Sequence, residues 1–449
     1  MLFSSLPFLV LFLPAVLLLH LAAPRPIKNA VLLLASVLFY AWGEAAYAPL
    51  MLVSLVLNYA FGLACASPRR WVRGVGVGLS LAVNLGALAY FKYADFFLRA
   101  VGLAALAPRV ALPLGISFYT FQIQAYVVDV RRGTVPAERN FVDYAAFALL
   151  FPQLIAGPIV LYGDVRAEIK RRGVAPADME RGMALFVAGL ASKVLLANPL
   201  GGLWSAAGGG ASSAALWLGI VAFGLQIYFD FAGYSLMALG MGAMLGFRFP
   251  QNFNHPYAAI SVRDFWRRWH MTLSGWFRDY LYIPLGGSRG GALRTLRNLF
   301  IVWALTGLWH GAGWNFVAWG LWYFVFLALE RFVWGARLAR LPWLGRAYTL
   351  LVVLLGWVLF AHDSLGQAVI YLGGMFALRP GMDWVFPLRG GAVLLAVSAL
   401  CCAPPVVRGA YNWLGRHAAL RAAVMTGLLL LCVASLVNAD YNPFLYFRF

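Results

Sequence analysis

Charged side chains are scarce in this chain. Only 11% of its 449 residues are Asp, Glu, Lys or Arg, whereas 63% are hydrophobic. A soluble protein of this composition would have too few polar groups to cover its surface, so lipid must solvate much of the chain. The scarcity of charge therefore excludes an ordinary soluble enzyme and predicts an integral membrane protein.

Acidic residues are rarer than basic ones. The chain has 16 Asp and Glu against 35 Lys and Arg, a formal net charge of +19. Such an excess is also typical of nucleic-acid-binding proteins. Here, however, the basic residues cluster at the ends of apolar runs, as expected for the cytoplasmic loops of a membrane protein. We therefore expect no nucleic-acid partner.

Cysteine and the common catalytic motifs are also poorly represented. The four cysteines lie in or beside apolar runs without metal-ligand spacing, and no two histidines have HxxxH spacing. We therefore expect no metal site. The chain has no P-loop, no GxGxxG after a strand and no GxSxG. Phosphoryl transfer, hydride transfer and a serine-hydrolase mechanism thus have no support in the sequence.

Long apolar runs, in contrast, recur from end to end. They cover roughly 3–23, 29–47, 49–66, 74–91, 112–130, 183–199, 214–246, 346–361, 391–407 and 422–438. Most approach the roughly 20 residues that a transmembrane helix needs. The sequence therefore predicts an all-α polytopic membrane protein. The first run lacks a basic segment before it, so we expect it to be a retained span rather than a signal peptide.

Two apolar segments are interrupted and have basic residues at both ends. Segment 141–162 contains Pro152, Gly157 and Pro158, and segment 298–333 contains an HGAG break. Irregular backbone at membrane depth is tolerated only where protein or water satisfies it. Both segments are therefore predicted to be re-entrant, entering and leaving the membrane on the cytoplasmic side.

The remaining long segment, 247–297, is polar and basic, with eight arginines and two aspartates. Within it, DFWRRWHMTLSGWFRDYLY has aromatic residues at helical spacing and predicts one amphipathic helix at the cytoplasmic membrane surface. We interpret 1–449 as a single domain. Its parts are the N-terminal spans 1–246, this loop, the re-entrant element 298–333 and the C-terminal spans 346–449.

His310 is the strongest catalytic candidate. It lies about 12 residues into its segment, or roughly 18 Å of helix, and so near the middle of the membrane. Histidine exchanges a proton near neutral pH, and an ionisable group at that depth is a functional candidate. Gly311 and Gly313 leave room for a substrate, and Trp309 and Trp314 are placed to wall a pocket. The alternative is a neutral histidine that bonds to a neighbouring helix.

Three other ionisable residues are less specific. His270 lies among arginines and is either a polar anchor or a second residue of the site. Asp230 is predicted to form a structural pair. Lys193 is predicted to extend its ammonium group to the membrane surface.

Six segments in order resemble the bacterial, alginate O-acetyltransferase-like branch of the membrane-bound O-acyltransferase family. They are LPLGISFYTFQIQAYVVDVRRG, LLFPQLIAGPIV, IYFDFAGYS, MLGFRFPQNFNHPY, DFWRRWHMTLSGWFRDYLYIPLGG and LTGLWHGAGWNFVAWGLW. The resemblance covers most of 1–330 and, more weakly, the tail ending YNPFLYFRF.

The resemblance implies about eleven spans around a central funnel, with re-entrant and interfacial helices. It also implies that His310, in LWHG, is the essential catalytic residue and that His270 occupies the family's second histidine position. The chain departs from the family pattern at Leu161, commonly an arginine, and at Ala232 and Leu236, commonly serine and aspartate. We expect these departures to affect which acceptor the protein uses and how it contacts a partner.

The resulting hypothesis is transfer of an acetyl group by His310 acting as general base. Acetyl-coenzyme A would present its thioester from the cytoplasm, and Asn315 or backbone N–H groups would stabilise the oxyanion. The donor's phosphates would be attracted by three arginines, Arg267, Arg268 and Arg278. Together with Trp309 and His270, these residues form the predicted site.

The expected acceptor is a saccharide hydroxyl, or a serine of a periplasmic SGNH-type partner that completes the transfer. The expected location is the bacterial inner (cytoplasmic) membrane, within its lipid. Two alternatives stay open at this point. One is a transporter or flippase of a lipid-linked saccharide or acyl donor, since broken helices are also a transporter device. The other is a scaffold that recruits enzymes.

Overall fold

The computed structural model describes residues 2–108, 110–154, 157–438 and 445, in which every regular element is a helix. This confirms the predicted all-α architecture. The chain divides into two compact units, residues 1–186 with 234–250 and residues 187–233 with 251–449.

The first unit contains nine α-helices before residue 171. They are α1 (Leu13–Ala22), α2 (Lys28–Glu44), α3 (Ala48–Cys65), α4 (Arg70–Leu88), α5 (Ala94–Ala100), α6 (Ile116–Arg132), α7 (Phe141–Ala148), α8 (Phe151–Leu154) and α9 (Tyr162–Lys170). Short π-helical turns precede α1 and follow α4.

Three helices follow in the middle of the chain. They are α10 (Pro176–Ala191), α11 (Asn198–Ala207) and α12 (Ser213–Met244). Helix α10 begins in the first unit and ends in the second, and α12 begins in the second and ends in the first.

The second unit contains ten further helices. They are α13 (Val262–Trp266), α14 (Met271–Phe277), α15 (Gly291–His310), α16 (Trp314–Leu329), α17 (Gly335–Arg340), α18 (Pro342–Ala361), α19 (Leu365–Phe376), α20 (Val385–Cys402), α21 (Pro404–Gly415) and α22 (Ala418–Val437).

Eight helical stretches among the described residues are long and apolar enough to cross a membrane. They are Arg25–Cys65, Arg70–Ala100, Pro176–Ala207, Ser213–Met244, Trp314–Leu338, Pro342–Ala361, Val385–Cys402 and Ala418–Val437. The chain is therefore a multi-pass membrane protein, as its composition predicts. The figure of about eleven spans stays a prediction.

Segment 141–162 is broken, as predicted. Helix α7 has eight residues and α8 has four. Eight residues rise only about 12 Å, well short of the roughly 30 Å hydrocarbon core of a bilayer. Residues 155–156 of this segment lie outside the described residues, as does the YNPFLYFRF tail apart from Leu445. The re-entrant course of the segment through the membrane stays a prediction.

A buried polar cluster joins three helices of the first unit. Asn84 donates its amide N–H to the side-chain oxygen of Asn58 at 2.7 Å, and Ser80 donates to the same oxygen at 2.8 Å. Ser80 also lies 3.3 Å from the side-chain oxygen of Gln124 on α6. Between membrane helices, such bonds supply specificity that apolar packing alone does not.

Candidate active site

Two glycines bring α15 and α16 together as a tight antiparallel hairpin. An added Cβ at Gly307 would lie 2.4 Å from the carbonyl oxygen of Phe316, and one at Gly320 would lie 2.3 Å from that of Trp303. These distances are shorter than any ordinary contact, so only glycine allows the two backbones to approach this closely. The hairpin places the end of α15 beside the start of α16.

The break between the two helices lies where the HGAG motif predicts it. Helix α15 ends at His310, the backbone is extended at Gly311 and Gly313, and α16 begins at Trp314. A Cβ at Gly311 would lie 2.2 Å from the ring of Phe316. The glycine is therefore needed because an aromatic ring of the next helix occupies the space beside it.

His310 is held in a box of aromatic rings. Its side chain is 3% exposed. The ring centroids of Trp309 and Trp319 each lie 4.9 Å from that of His310, and the centroid of Phe360 lies 5.4 Å away. Phe360 comes from α18, so three helices fix the position of the imidazole.

Asn315 ties the start of α16 to the end of α18. Its side-chain amide donates to the carbonyl oxygen of His362 at 2.8 Å and to that of Leu359 at 3.4 Å. The same amide nitrogen makes both contacts, and Phe360 lies in the chain between the two acceptor residues. Asn315 therefore helps to hold Phe360 beside His310, and its role at an oxyanion stays a prediction.

His270 is buried, whereas the sequence leaves open either a polar anchor on the interfacial helix or a second residue of the site. Its side chain is 1% exposed, and its backbone has the left-handed φ of +45°. The ring of Phe231 meets the imidazole edge-on at 4.7 Å. A left-handed histidine is uncommon and persists only where its surroundings impose it. The single amphipathic helix predicted here is therefore wrong, because the chain leaves α13 at Trp266 and begins α14 at Met271.

The tautomer of His270 follows from its contact with Asn252. The side-chain oxygen of Asn252 accepts the backbone N–H of Thr272 at 3.3 Å and lies 3.1 Å from Nδ1 of His270. Because that atom is an acceptor, Nδ1 must carry the hydrogen. Burial lowers the pKa of His270 to about 3. The ring is therefore neutral at physiological pH, with its lone pair on Nε2.

Trp309 connects the two histidines. Its ring centroid lies 6.0 Å from that of His270 and 4.9 Å from that of His310. The indole is 4% exposed. Residues predicted from two separate motifs, His270 from RRWH and Trp309 with His310 from LWHG, are thus brought together in the second unit.

Glu330 orients the short helix α13, which carries Arg263 and is followed directly by Arg267. Its carboxylate accepts the backbone N–H of Val262 at 2.6 Å and that of Arg263 at 2.9 Å. Ser261 adds a cap by accepting the N–H of Asp264 at 3.0 Å. These acceptors satisfy the donors that a helix leaves unpaired at its first turn.

A cavity of about 480 Å³ lies beside this assembly. Its lining includes three arginines, one predicted histidine and a threonine one turn before His310: Arg263, Arg267, Arg278, His270 and Thr306. The rings of Trp266 and Trp303 form its apolar part. Arg263, Arg267 and Arg278 are all exposed. The cavity therefore combines cationic groups with an aromatic surface.

The arginines predicted to meet a donor differ in their surroundings. Arg268 pairs with Asp264 at 2.9 Å and is not among the residues that line the cavity. Arg278 lines it but also makes two bonds to Asp279, at 2.7 and 2.8 Å. Arg267 and Arg263 line the cavity without a carboxylate ion pair within 4 Å among the described residues.

Lys193 is buried rather than extended to the membrane surface, so that prediction is wrong. Its ammonium group lies 2.7 Å from the carboxylate of Asp230, and both side chains are 2% exposed. Lys193 also donates to Asn198 at 2.8 Å, and Asp230 accepts the N–H of Leu445 at 2.7 Å. Pairing satisfies the ammonium group inside the protein, as predicted for Asp230.

Within the part of the chain that the structure describes, no cluster of three His, Cys, Asp or Glu could hold a metal ion. All four cysteines are free thiols. The site is thus built from histidine, arginine and aromatic side chains.

Three residues of the site are missing from the sequence-based prediction: Asn252, Arg263 and Glu330. Glu330 is recognisable in the sequence as a candidate, because it directly follows the 16 residues of the apolar helix α16. An acidic group is unexpected there unless it has a function or a partner. Asn252 is one polar residue of a polar loop, and only the fold brings it to His270.

Comparison with known proteins identifies the chain's relatives. Residues 211–361 match the sequence model of MBOAT, the membrane-bound O-acyltransferase family. The probable alginate O-acetylase AlgI of Pseudomonas putida is 38% identical, and the alignment covers 100% of both chains. The peptidoglycan O-acetyltransferase of Helicobacter pylori is 34% identical over 84% of this chain and 80% of its own length.

A more distant similarity extends to the teichoic acid D-alanyltransferase of Streptococcus thermophilus, which is 28% identical over 48% of this chain and 56% of its own. The match to the Pseudomonas putida protein runs the full length of both chains, so it spans the hairpin of α15 and α16 as well as His270 and His310. The chain therefore belongs to the membrane-bound O-acyltransferase family and is an O-acyltransferase embedded in a membrane.

Proposed function

We propose that the protein transfers an acetyl group from acetyl-coenzyme A to a saccharide hydroxyl during acetylation of a cell-surface polysaccharide. The observation that carries the proposal is the burial of His310 among three aromatic rings at the break of a helical hairpin. Relatives named for alginate and peptidoglycan acetylation support a polysaccharide as the acceptor.

His310 acts as the general base in this proposal. The neutral imidazole takes the proton of the acceptor hydroxyl as its oxygen attacks the thioester carbonyl carbon. The tetrahedral intermediate then expels the coenzyme thiolate, the carbon–sulfur bond breaks, and the imidazolium returns the proton to sulfur. The products are the acetyl ester and the free thiol. Trp319 and Phe360 exclude water that would otherwise hydrolyse the thioester.

The oxyanion is stabilised at the start of α16, where the positive end of the helix dipole favours the developing charge. The N–H groups of Phe316 and Val317 bond to the carbonyl oxygen of Gly313, so the proposed donors are the backbone N–H groups that precede them. The side-chain amide of Asn315 is the alternative donor, and in this structure it bonds to the carbonyl oxygens of Leu359 and His362.

The donor enters through the cavity beside His270. Arg263 and Arg267 are the first contacts for its phosphates, since neither has a carboxylate ion pair among the described residues, and Arg278 adds a third cation. Arg268 supports α13 through Asp264 instead. Thr306, which also lines the cavity, precedes His310 by one turn of α15, so the cavity provides a route from the arginines toward the base.

The acceptor is a saccharide hydroxyl, reached directly or through a serine of a periplasmic SGNH-type partner. Transfer through the protein moves the acetyl group across the bacterial inner membrane without moving the coenzyme. The transporter, flippase and scaffold alternatives are wrong, because the chain belongs to a family of acyltransferases.

Replacement of His310 tests this proposal. A host lacking its own copy is complemented with the wild type or with His310→Ala, and the ester content of its surface polysaccharide is measured. We expect His310→Ala to abolish acetylation at an unchanged level of membrane-inserted protein. His417→Ala is the matched control, because His417 is exposed and its ring packs on Trp413. Acetylation retained in His310→Ala would refute the assignment.

A further inference from the structure

A second cavity, of about 440 Å³, lies in the first unit. Its walls come from the end of α9, the start of α10 and the turn that follows α12. None of its lining residues takes part in the proposed acyl transfer. The proposed acyl transfer therefore does not account for this cavity.

The cavity is lined by four arginines and two carboxylates: Arg171, Arg172, Arg181, Arg248, Glu168 and Asp178. The net charge of its lining is therefore positive. The side chains of Arg171, Arg181 and Arg248 are exposed, and none forms a salt bridge within 4 Å among the described residues. Arginine presents several N–H donors in a fixed plane, which suits it to phosphate oxygens.

Arg172 is the fixed member of the group. It donates to the side-chain oxygen of Asn29 at 2.5 Å, and its guanidinium lies over the ring of Phe247 at 4.6 Å. Its Nε and Nη2 atoms are buried and have no hydrogen-bond acceptor in the described part of the chain. Burial lowers the pKa of Arg172 to about 10, so the group stays charged at neutral pH. Arg172 forms no salt bridge within 4 Å among the described residues, and the charge of Asp143 acts on it from a greater distance. The lining of the cavity therefore keeps a net positive charge, which favours an anionic ligand.

Membrane-spanning helices set the depth of the cavity. Helix α10 begins the stretch Pro176–Ala207, and α12 ends the stretch Ser213–Met244, both of which are long and apolar enough to cross a membrane. The cavity lies at these two helix ends, where the lipid headgroups are expected. Its lining also includes apolar side chains, among them Leu185 and Leu239, one on each helix.

The turn after α12 is shaped for this arrangement. Gly246 has a left-handed φ of +84°, and an added Cβ there would lie 2.9 Å from the carbonyl oxygen of Gly173. Glycine thus lets the two backbones meet while the next residues, Phe247 and Arg248, line the cavity.

From this arrangement we propose that the cavity binds the phosphodiester headgroup of an anionic phospholipid. Arg171, Arg181 and Arg248 bind the phosphate oxygens, and the leucines contact the first carbons of the acyl chains. Basic pockets at the ends of membrane helices are suited to such headgroups. The bound lipid would stabilise the packing of α9, α10 and α12.

Thermal unfolding of the full-length protein in a neutral detergent tests the proposal. Phosphatidylglycerol, phosphatidylcholine or inorganic phosphate is added at equal concentration, with no acyl donor or acceptor present. We expect phosphatidylglycerol to raise the Tm of the wild type by about 3 °C or more, since a ligand that binds only the folded state stabilises it. Phosphatidylcholine and inorganic phosphate should change the Tm little.

The triple variant Arg171→Gln, Arg181→Gln, Arg248→Gln should lose this increase and retain one lipid fewer in native mass spectrometry. Its control is Arg25→Gln, Arg69→Gln, Arg70→Gln, three exposed arginines outside the cavity, which should keep the increase. The single variant Arg248→Glu is a second test in case the triple variant unfolds. An unchanged increase in the cavity variants, an equal loss in the control, or equal stabilisation by inorganic phosphate would overturn the proposal.

Discussion

The side-chain oxygen of Asn252 accepts the Nδ1 hydrogen of His270 at 3.1 Å, and the same oxygen accepts the backbone N–H of Thr272 at 3.3 Å. The second bond identifies the oxygen, and the first then fixes the tautomer of the histidine. A residue 18 positions earlier in the chain therefore determines which nitrogen of His270 can accept a proton or a hydrogen bond. This relationship gives Asn252 a role that substitution can test.

Asn252→Ala is expected to lower kcat by about tenfold or more. Loss of one buried hydrogen bond costs about 1–3 kcal/mol, and the His270 imidazole would no longer be held in one orientation and one tautomer. Asn252→Asp keeps an acceptor at the same position and should retain more activity. Its negative charge should also raise the pKa of His270 and shift the acidic limb of the pH–rate profile upward. A role in packing alone would predict equal losses in both variants and no shift of the profile.

The low pKa of His270 predicts a pH-dependent stability. The folded state leaves His270 neutral down to about pH 3, whereas an unfolded histidine binds a proton below about pH 6.5. The unfolded state thus gains protons first, and stability falls as the pH drops through 6.5, by up to about 1.4 kcal/mol per pH unit.

His270→Gln removes this contribution. Between pH 7.5 and pH 5.5, the Tm of this variant should fall less than the Tm of the wild type. The variant His417→Gln, at an exposed position, should show the same fall in Tm as the wild type. Equal pH dependence in all three proteins would show that His270 is not held neutral in the folded state.

The close approach of α15 and α16 predicts a strict need for glycine. Gly320→Ala should destabilise the protein by about 1–3 kcal/mol, because its Cβ would overlap the Trp303 carbonyl oxygen. The hairpin would also widen near His310, so acetylation should fall. Gly427→Ala in α22 is the control, because nothing lies within 4 Å of its added Cβ. Thermal unfolding and ester formation measure the two effects, and equal stability of both variants would contradict the packing described here.

The buried pair of Lys193 and Asp230 predicts non-additive substitutions. Lys193→Met leaves a carboxylate buried without its partner and should destabilise the protein by about 3–5 kcal/mol. The double variant Lys193→Met, Asp230→Asn removes both charges and keeps an acceptor for Leu445. It should be more stable than Lys193→Met alone, as judged by the Tm in detergent. If the double variant loses at least as much stability as the two single variants together, the ion pair does not account for the burial of these groups.

Several features of the fold could be predicted because they depend on local sequence. Composition alone indicated a membrane protein, and the glycines after His310 marked the break between α15 and α16. The prolines of 141–162 likewise marked an interrupted segment. In each case the signal lies within a few residues of the feature it specifies.

Other features could not be predicted because they depend on tertiary contacts. The helical spacing of aromatic residues around His270 suggested a single surface helix. The helix is interrupted there instead: His270 has a left-handed φ, and Asn252 and Phe231 contact its buried imidazole. The sequence predicts that Lys193 extends to the membrane surface. Its carboxylate partner, Asp230, lies 37 positions away in the chain, so no local pattern indicates the buried pair. The contact of Phe360 with His310 has no local signal.

The ring of Phe316 occupies the space that any side chain at position 311 would need. The same ring also packs edge-on against Phe360 at 5.3 Å, so the turn after His310 is coupled to both α16 and α18. In the proposed reaction, the donor and the acceptor would therefore meet a base whose surroundings are assembled when the chain folds.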